Sequence, residues 1–295
     1  MMKRVLITGD NSYVGNNVQA WLLKTPNEFA VDAISVKDES WRNTDFSKYD
    51  VVFHVAGIAH VDAKKSMEPL YRRVNTDLTI EVAKWAKQHG IKQFIFMSSS
   101  IVYHESRSLK GDIISRATKP DPNTFYGDSK LQAEIGLKKI EDELFKVVIL
   151  RCPMIYGPNS KGNFLRLAKL ATITPVFPDY HNKRSMIYID NLCEFVKQVI
   201  IRGLKGTFHP DNKDLADTVE IVSSFAKQNN HRIHFWKWIN IFVYLGAPFI
   251  TSICKMFADS YFEDDIKNVG FEYEVVSLRE SFKLISLEQA SLFMK

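Results

Sequence analysis

The amino-terminal half alternates short apolar runs with helical patterns, and this alternation limits the fold more than any other property of the chain. Val5-Leu-Ile precedes a helical pattern from about Val14 to Leu23, and further apolar runs follow at Val31 to Val36, Val51 to Val55 and Phe94 to Met97. A strongly patterned helix, Leu70 to His89, separates the third run from the fourth, and another across Ser129 to Leu144 leads into Val147-Val-Ile-Leu. Strands this apolar need cover on both faces, so the pattern predicts an α/β chain built on a doubly wound parallel sheet. In such sheets ligands gather beyond the carboxyl ends of the strands. After about residue 159 the rhythm loosens into helical pieces at Phe164 to Ala171, Asn191 to Ile201 and Thr218 to Lys227. The expected division is therefore a nucleotide-binding domain over residues 1–158 and a smaller substrate-binding region over 159–295, which may exchange segments with the first.

Bulk properties exclude several classes. The 45% hydrophobic and 25% charged content suits a globular protein, and a formal charge of +5 is dispersed without a basic stripe interleaved with aromatics. An anionic small ligand fits this balance at least as well as nucleic acid, which is not expected as a partner. Cys152, Cys193 and Cys254 are odd in number and widely spaced, which points to reduced thiols in the cytoplasm and to neither a disulfide framework nor a metal site. The Met-Met-Lys-Arg-Val-Leu-Ile-Thr-Gly start reads as a strand entering a turn rather than an export signal. Trp238 to Cys254 carries no formal charge over 17 residues, but Gly246, Pro248, Asn240, Thr251 and Ser252 interrupt it. It is expected to form a buried or interface helix pair, with peripheral membrane contact the less favoured alternative.

The chemistry-bearing residues sit at strand ends. "TGDNSYVG" follows the first strand and places Gly9, Ser12, Tyr13, Val14 and Gly15 at a turn and helix start, where backbone amides can receive a pyrophosphate. Ser12 stands where a third glycine is usual, which is tolerable if its φ is not positive. Ser35-Val36-Lys37-Asp38 follows the second strand. A register on Ser35, with Lys37 beside it, admits a ribose 2′-phosphate, and one on Asp38 prefers a free 2′-hydroxyl, so NAD and NADP both stay open. "MSSSIVYH" ends the fourth strand with Ser99, and Tyr126 and Lys130 lie four apart on one helix face. An ammonium beside a phenol is expected to lower the pKa of the phenol and let it move protons near neutral pH. His54 lies within a strand and is expected to be a satisfied core residue. His60 could reach a substrate cavity, although a loop histidine is more often structural or solvated.

Taken in order, Tyr126-x-x-x-Lys130, Ser99, the glycine turn, "DVVFHVAG", "LRCPMIYGP", "GTFHPDN" and "NVGFEY" resemble the extended short-chain dehydrogenase/reductase superfamily, in its nucleotide-sugar epimerase/dehydratase branch. The resemblance covers nearly the whole chain and implies a Rossmann-type fold with bound NAD(P). It assigns Tyr126 as the acid/base at a sugar hydroxyl, Lys130 to the nicotinamide ribose and Ser99 to the reacting oxygen. Asp45-Phe46 resembles the Asp-hydrophobe pair that meets adenine after the third strand, while Val55, Ala56, Gly57, Asn75 and Pro153 would line the cofactor. Arg184 matches the arginine that grips the substrate diphosphate, a task suited to a planar guanidinium, and Asn163 stands where that diphosphate is often contacted. Ser12, Gly57 in place of a second alanine, and His104 where glycine is common depart from the pattern without removing a reactive group.

The resemblance implies a 4-epimerase of a UDP-hexose or UDP-N-acetylhexosamine. Its alternative is an NAD(P)H-dependent reductase of a 4-keto-6-deoxy sugar, which the Ser35/Lys37 pair suits somewhat better. A dehydratase is disfavoured because Ser100-Ile101 replaces the Asp-Glu pair often found there. A degenerate, non-catalytic nucleotide binder would be expected to lose one of Ser99, Tyr126 or Lys130. The helices Leu70 to His89 and Ser129 to Leu144 are the candidates for a homodimer interface.

Overall fold

The computed structural model describes residues 2–59, 65–105, 108–160 and 163–285. His60 and the side chains of Asn163 and Leu165 lie outside the described residues. The chain begins with β1 (Lys3–Thr8), α1 (Tyr13–Leu22), β2 (Phe29–Ile34) and β3 (Val51–His54). A short α2 (Glu68–Tyr71) runs through a π-helical segment, Arg72–Asp77, into α3 (Leu78–Gln88), followed by β4 (Gln93–Ser99) and β5 (Asp112–Ile114). Next come α4 (Phe125–Ile140), β6 (Lys146–Cys152), β7 (Met154–Tyr156), α5 (Asn163–Ile173), β8 (Val176–Pro178), β9 (Met186–Tyr188), α6 (Ile189–Arg202) and β10 (Gly206–Phe208). The remainder holds α7 (Thr218–Gln228), β11 (His234–Trp236), α8 (Asn240–Gly246), α9 (Thr251–Phe257), β12 (Ser260–Phe262), α10 (Asp264–Lys267) and α11 (Leu278–Leu284).

The central sheet has six parallel strands in the order β10-β6-β4-β3-β1-β2. Successive side chains serve opposite faces, as a pleated strand requires. Val5, Ile7, Val51, Phe53, Ile95 and Val148 enter the core on one face, while Leu6, Val52, Phe94, Phe96 and Val147 enter the other beneath α3 and α4. This is the expected doubly wound architecture. The chain runs outward from β1 to β2 and then returns across β1 to β3, so the crevice at the carboxyl ends of β1 and β3 is a topological switch point.

Two element boundaries depart from expectation in ways that bear on function. The helix expected over Leu70 to His89 is interrupted by the π segment, which swings Arg73, Val74 and Asp77 toward the crevice. Helix α4 starts at Phe125 instead of Ser129, because Thr124, in extended conformation, caps it by accepting a hydrogen bond from the Gly127 N–H at 3.0 Å. Tyr126 thus lies in the first turn of α4.

Beyond the sheet, β7 pairs with β9, β8 with β11 and β5 with β12, all in parallel. Helices α8 and α9 form the expected pair, but only its inner face is buried, through Val243, Ala247, Cys254 and Phe257. Its outer face is exposed, so of the expected buried or interface pair the inner face alone is buried. No helix among the described residues is long and apolar enough to cross a membrane.

Candidate active site

A cleft of about 760 Å³ opens over the carboxyl ends of β1, β2 and β3 and the π segment. Gly9 holds φ at +121°, and a Cβ there would stand 2.6 Å from the Ala56 nitrogen, so the turn closes only around glycine. Ser12 keeps φ at −82° and caps α1, its Oγ accepting from the Gly15 N–H at 3.0 Å. The left-handed conformation falls instead on Asn11, at φ 57°, a residue type that tolerates it. Helix α1 has no acidic residue in its first turn, so its amino end offers free amides to an anion. Asp10 lines the cleft with Oδ1 buried and without a hydrogen-bond partner, and a ligand hydroxyl is a donor that would satisfy it.

The other expected cofactor contacts fall into two groups. Val55, Ala56, Gly57, Lys37 and Asp38 line the cleft. Ser35 accepts a hydrogen bond from its neighbour, the Lys37 N–H, at 3.4 Å, while Asp38 Oδ1 accepts from the Ser40 N–H at 2.9 Å, so both cap local turns. Tyr13 and Val14 pack against the core and Tyr13 Oη is buried without a partner. Pro153 links β6 to β7. The pair Asp45-Phe46 precedes β3 rather than following it. Asp45 caps a 3₁₀ turn through Ser47 and Phe46 is fully buried against Trp41, so neither lines the cleft. Sequence reasoning missed Ile58, Arg73, Asp77 and Glu81, all of which line it. No local pattern marks Arg73 and Asp77, which sit on the π segment, while Ile58 comes from the loop after β3 and Glu81 from α3.

Asn75 is completely buried and acts as a clasp. Its Oδ1 accepts from the Ile58 N–H at 2.8 Å, and its Nδ2 donates to the Ile58 carbonyl at 3.1 Å and to Ser129 Oγ at 3.0 Å. This ties the loop after β3 to α4. A Cβ on Gly57 would lie 3.0 Å from Asn75 Oδ1 and 3.3 Å from Lys130 Nζ, so this departure from the family alanine leaves the ammonium its room.

Ser99, Tyr126 and Lys130 converge at the carboxyl end of β4. The Ser99 hydroxyl accepts from the Ile101 N–H at 3.3 Å and pulls the Tyr126 phenol pKa downward. The Tyr126 ring meets Tyr71 edge-on at 6.0 Å. Lys130 Nζ donates to the Met97 carbonyl at 2.8 Å and lies 4.6 Å from the centre of the Phe96 ring. The expected lowering of the phenol pKa is not found. Burial pushes Tyr126 up to about 12 against the downward pull of Ser99, and burial lowers Lys130 to about 8. The ammonium is turned to a strand carbonyl rather than to the phenol, and that is the physical reason.

His54 is the satisfied core residue expected of it, with Nδ1 2.7 Å from Thr8 Oγ1 and Nε2 3.0 Å from Thr79 Oγ1. Arg184 does not stand free for a phosphate. Its Nη1 donates to the carbonyls of Lys255 and Met256 at the end of α9, leaving its remaining N–H groups for other partners. Burial lowers its pKa while Glu105 opposes that. Asn163 is the first residue of α5. All three cysteines are buried, and none forms a disulfide among the described residues.

Residues 5–207 match the family described as NAD dependent epimerase/dehydratase. A UDP-glucose 4-epimerase of Vibrio cholerae is 36% identical over 217 residues, 66% of either chain. An N-acetyl-α-D-glucosaminyl-diphospho-ditrans,octacis-undecaprenol 4-epimerase of Escherichia coli O157:H7 is 29% identical over 67% of this chain and 60% of its own. The match thus spans about two thirds or less of these relatives. Among solved structures, a UDP-glucuronic acid 4-epimerase from Bacillus cereus in complex with NAD superposes with a TM-score of 0.73 at 20% identity, over 99% of this chain and 100% of that one. A dTDP-4-dehydrorhamnose reductase from Bacillus anthracis in complex with NADP gives 0.64 at 20% identity, over 80% and 83%.

Proposed function

Because the chain belongs to the NAD dependent epimerase/dehydratase family, we propose that it is a 4-epimerase of a sugar diphosphate, with a UDP-hexose or UDP-N-acetylhexosamine as substrate. The observation that carries this reading is the meeting of Ser99, at the end of β4, with Tyr126 on the α4 face that also bears Lys130, whose Nζ is held at the Met97 carbonyl of the same strand.

The residues present fit a nicotinamide dinucleotide. The Asn11-Ser12 turn and the amino end of α1 would hold its pyrophosphate, Lys37 or Asp38 its adenosine ribose, and Val55 to Ile58 its body. When bound, it supplies a hydride acceptor that can return the hydride. Tyr126 takes the proton from the C4 hydroxyl as that carbon is oxidised and gives it back to the carbonyl oxygen after the sugar has turned. Ser99 hydrogen-bonds the same oxygen. Lys130, at about 8, is mostly an ammonium at neutral pH and favours the phenolate electrostatically once its Nζ leaves Met97. Arg184 holds the substrate diphosphate through the N–H groups that α9 leaves free. A homodimer through α3 and α4 belongs to the same reading.

One observation favours a second reading. A phenol at about 12 keeps its proton at neutral pH, which is the form that donates to a carbonyl, and Lys37 and Arg73 both line the cleft that would take a 2′-phosphate. Both suit a 4-keto-reductase using NADPH. The test is turnover of UDP-glucose deuterated at C4. Retention of deuterium at C4 of the epimer is expected, because the same hydride returns. Washout to solvent would overturn the oxidation-and-return mechanism, and turnover confined to a 4-keto sugar with NADPH would select the reductase.

A further inference from the structure

Helices α8 and α9 form a hairpin around Pro248 and Phe249, packed inward on Phe177 and Tyr180 through Phe257 and Tyr244. Its outside is apolar. Among the described residues, eight of the seventeen exposed large apolar side chains fall between 236 and 250, so the exposure is concentrated rather than scattered. Trp236, Trp238 and Phe242 form one continuous aromatic run, with centroids 5.7 and 6.2 Å apart, and Phe249 at the tip is 86% exposed. The surrounding charge has one sign. Residues 221–258 contain no Asp or Glu but do contain Lys227, Arg232, Lys237 and Lys255, of which Arg232 and Lys237 are exposed. Carboxylates near the hairpin are already engaged: Asp179 and Asp217 with His181, Glu105 with Lys255, and Asp259 with the Lys183 N–H.

We propose that this hairpin docks the protein on the surface of an anionic lipid bilayer. Tryptophan and tyrosine are side chains of the headgroup level, the Leu245 and Phe249 side chains would enter the acyl boundary, and Lys237 and Arg232 would meet lipid phosphates. Each helix has seven residues, roughly 10 Å of rise, which matches interfacial seating and is far short of a span. A second copy of the chain is a poorer occupant. Two-fold pairing would set the cationic rim against itself, with the nearby carboxylates already engaged.

The hairpin is hydrogen-bonded to the segment that carries Arg184. Besides Arg184, Asn182 Nδ2 and Thr218 Oγ1 donate to the Met256 carbonyl at 3.2 and 2.8 Å, and Lys255 meets Glu105 beyond the Tyr103 turn at 3.2 Å. Docking would therefore hold the Arg184 side of the site at headgroup level. This inference goes beyond the proposed reaction and stands or falls without it.

The test is flotation of the purified full chain with vesicles. Binding to phosphatidylglycerol/phosphatidylcholine vesicles is expected to be about tenfold or more stronger than to phosphatidylcholine alone, and to weaken at high salt. Trp238→Glu with Phe249→Glu is expected to cut binding by about tenfold or more with an unchanged circular dichroism spectrum. Should that variant misfold, quenching of wild-type tryptophan emission by brominated lipid serves instead, and its presence is the expected result. Tyr126→Phe is expected to bind vesicles like the wild type, so loss of turnover and loss of docking are separable. Absence of vesicle binding or of quenching would overturn the proposal. So would wild-type binding by the folded double variant, or a dimer in sedimentation that this variant dissolves while vesicles capture nothing.

Discussion

Helix α4 presents Tyr126, Lys130 and Glu134 four residues apart on one face, and its two ends treat their polar groups differently. At the Glu134 end every group is answered. Glu134 accepts from Ser98 Oγ at 2.5 Å and from Arg151 Nε and Nη2 at 3.1 and 2.6 Å, Arg151 Nη1 donates to Tyr103 Oη at 2.7 Å, and Tyr103 lies 2.8 Å from His209 Nε2. Burial holds His209 down at about 4, so its ring is neutral and Nε2 can accept the Tyr103 proton. At the Tyr126 end the phenol is raised, the ammonium is lowered, and Lys130 hangs on one carbonyl. A closed network fixes a structure, whereas groups held away from their ordinary ionisation and loosely partnered are available to a substrate.

The sharpest way to break this contrast is to exchange the consequences of mutation at the two ends. Tyr126→Phe is expected to lower kcat by about 10²- to 10⁴-fold, the usual worth of a general acid–base, with stability changed by about 1 kcal/mol or less. Steady-state turnover beside thermal unfolding checks both halves. Glu134→Gln is expected to cost about 3–5 kcal/mol by leaving the Arg151 guanidinium buried without its counter-ion. Denaturant unfolding measures it, and a loss below about 1 kcal/mol would mean that the network is not structural.

Lys130 sharpens the comparison through pH. Its folded pKa of about 8 lies below its ordinary 10.5, so the unfolded chain holds the proton more tightly. Stability therefore rises with pH between about 8 and 10.5, and below 8 the buried ammonium costs on the order of 3 kcal/mol. In Lys130→Met that rise is expected to vanish, as unfolding midpoints across the window would show; an identical slope in both proteins would contradict the assignment. The smallest effect is expected of Lys37→Ala. A loss of about tenfold in preference for NADPH over NADH, measured by titration, would place Lys37 on a 2′-phosphate.

Local patterns were legible in the sequence and partnerships were not. Val5, Leu6 and Ile7 announce a strand covered on both faces, and the spacing of Tyr126 and Lys130 announces a shared helix face, because both follow from backbone periodicity. The direction of the Tyr126 shift was not legible, since burial sets it and Lys130, turned to Met97 33 residues away, does not offset it. Glu134 and Arg151 meet across two elements without any motif to mark them. Arg73 reaches the cleft through a π segment that apolar periodicity reads as ordinary helix. Asp45-Phe46 falls before β3, a placement the dipeptide alone does not reveal, and there Phe46 fills the core beneath α3.

Inversion at C4 by the Ser99/Tyr126/Lys130 site can be followed by NMR of the purified protein with UDP-hexoses and UDP-N-acetylhexosamines and no added nicotinamide, through the sugar H4 signals. Conversion of one substrate to its C4 epimer, abolished in Tyr126→Phe, is the predicted result. Unchanged H4 signals across the panel, with turnover appearing only when a 4-keto sugar and NADPH are supplied, would contradict it.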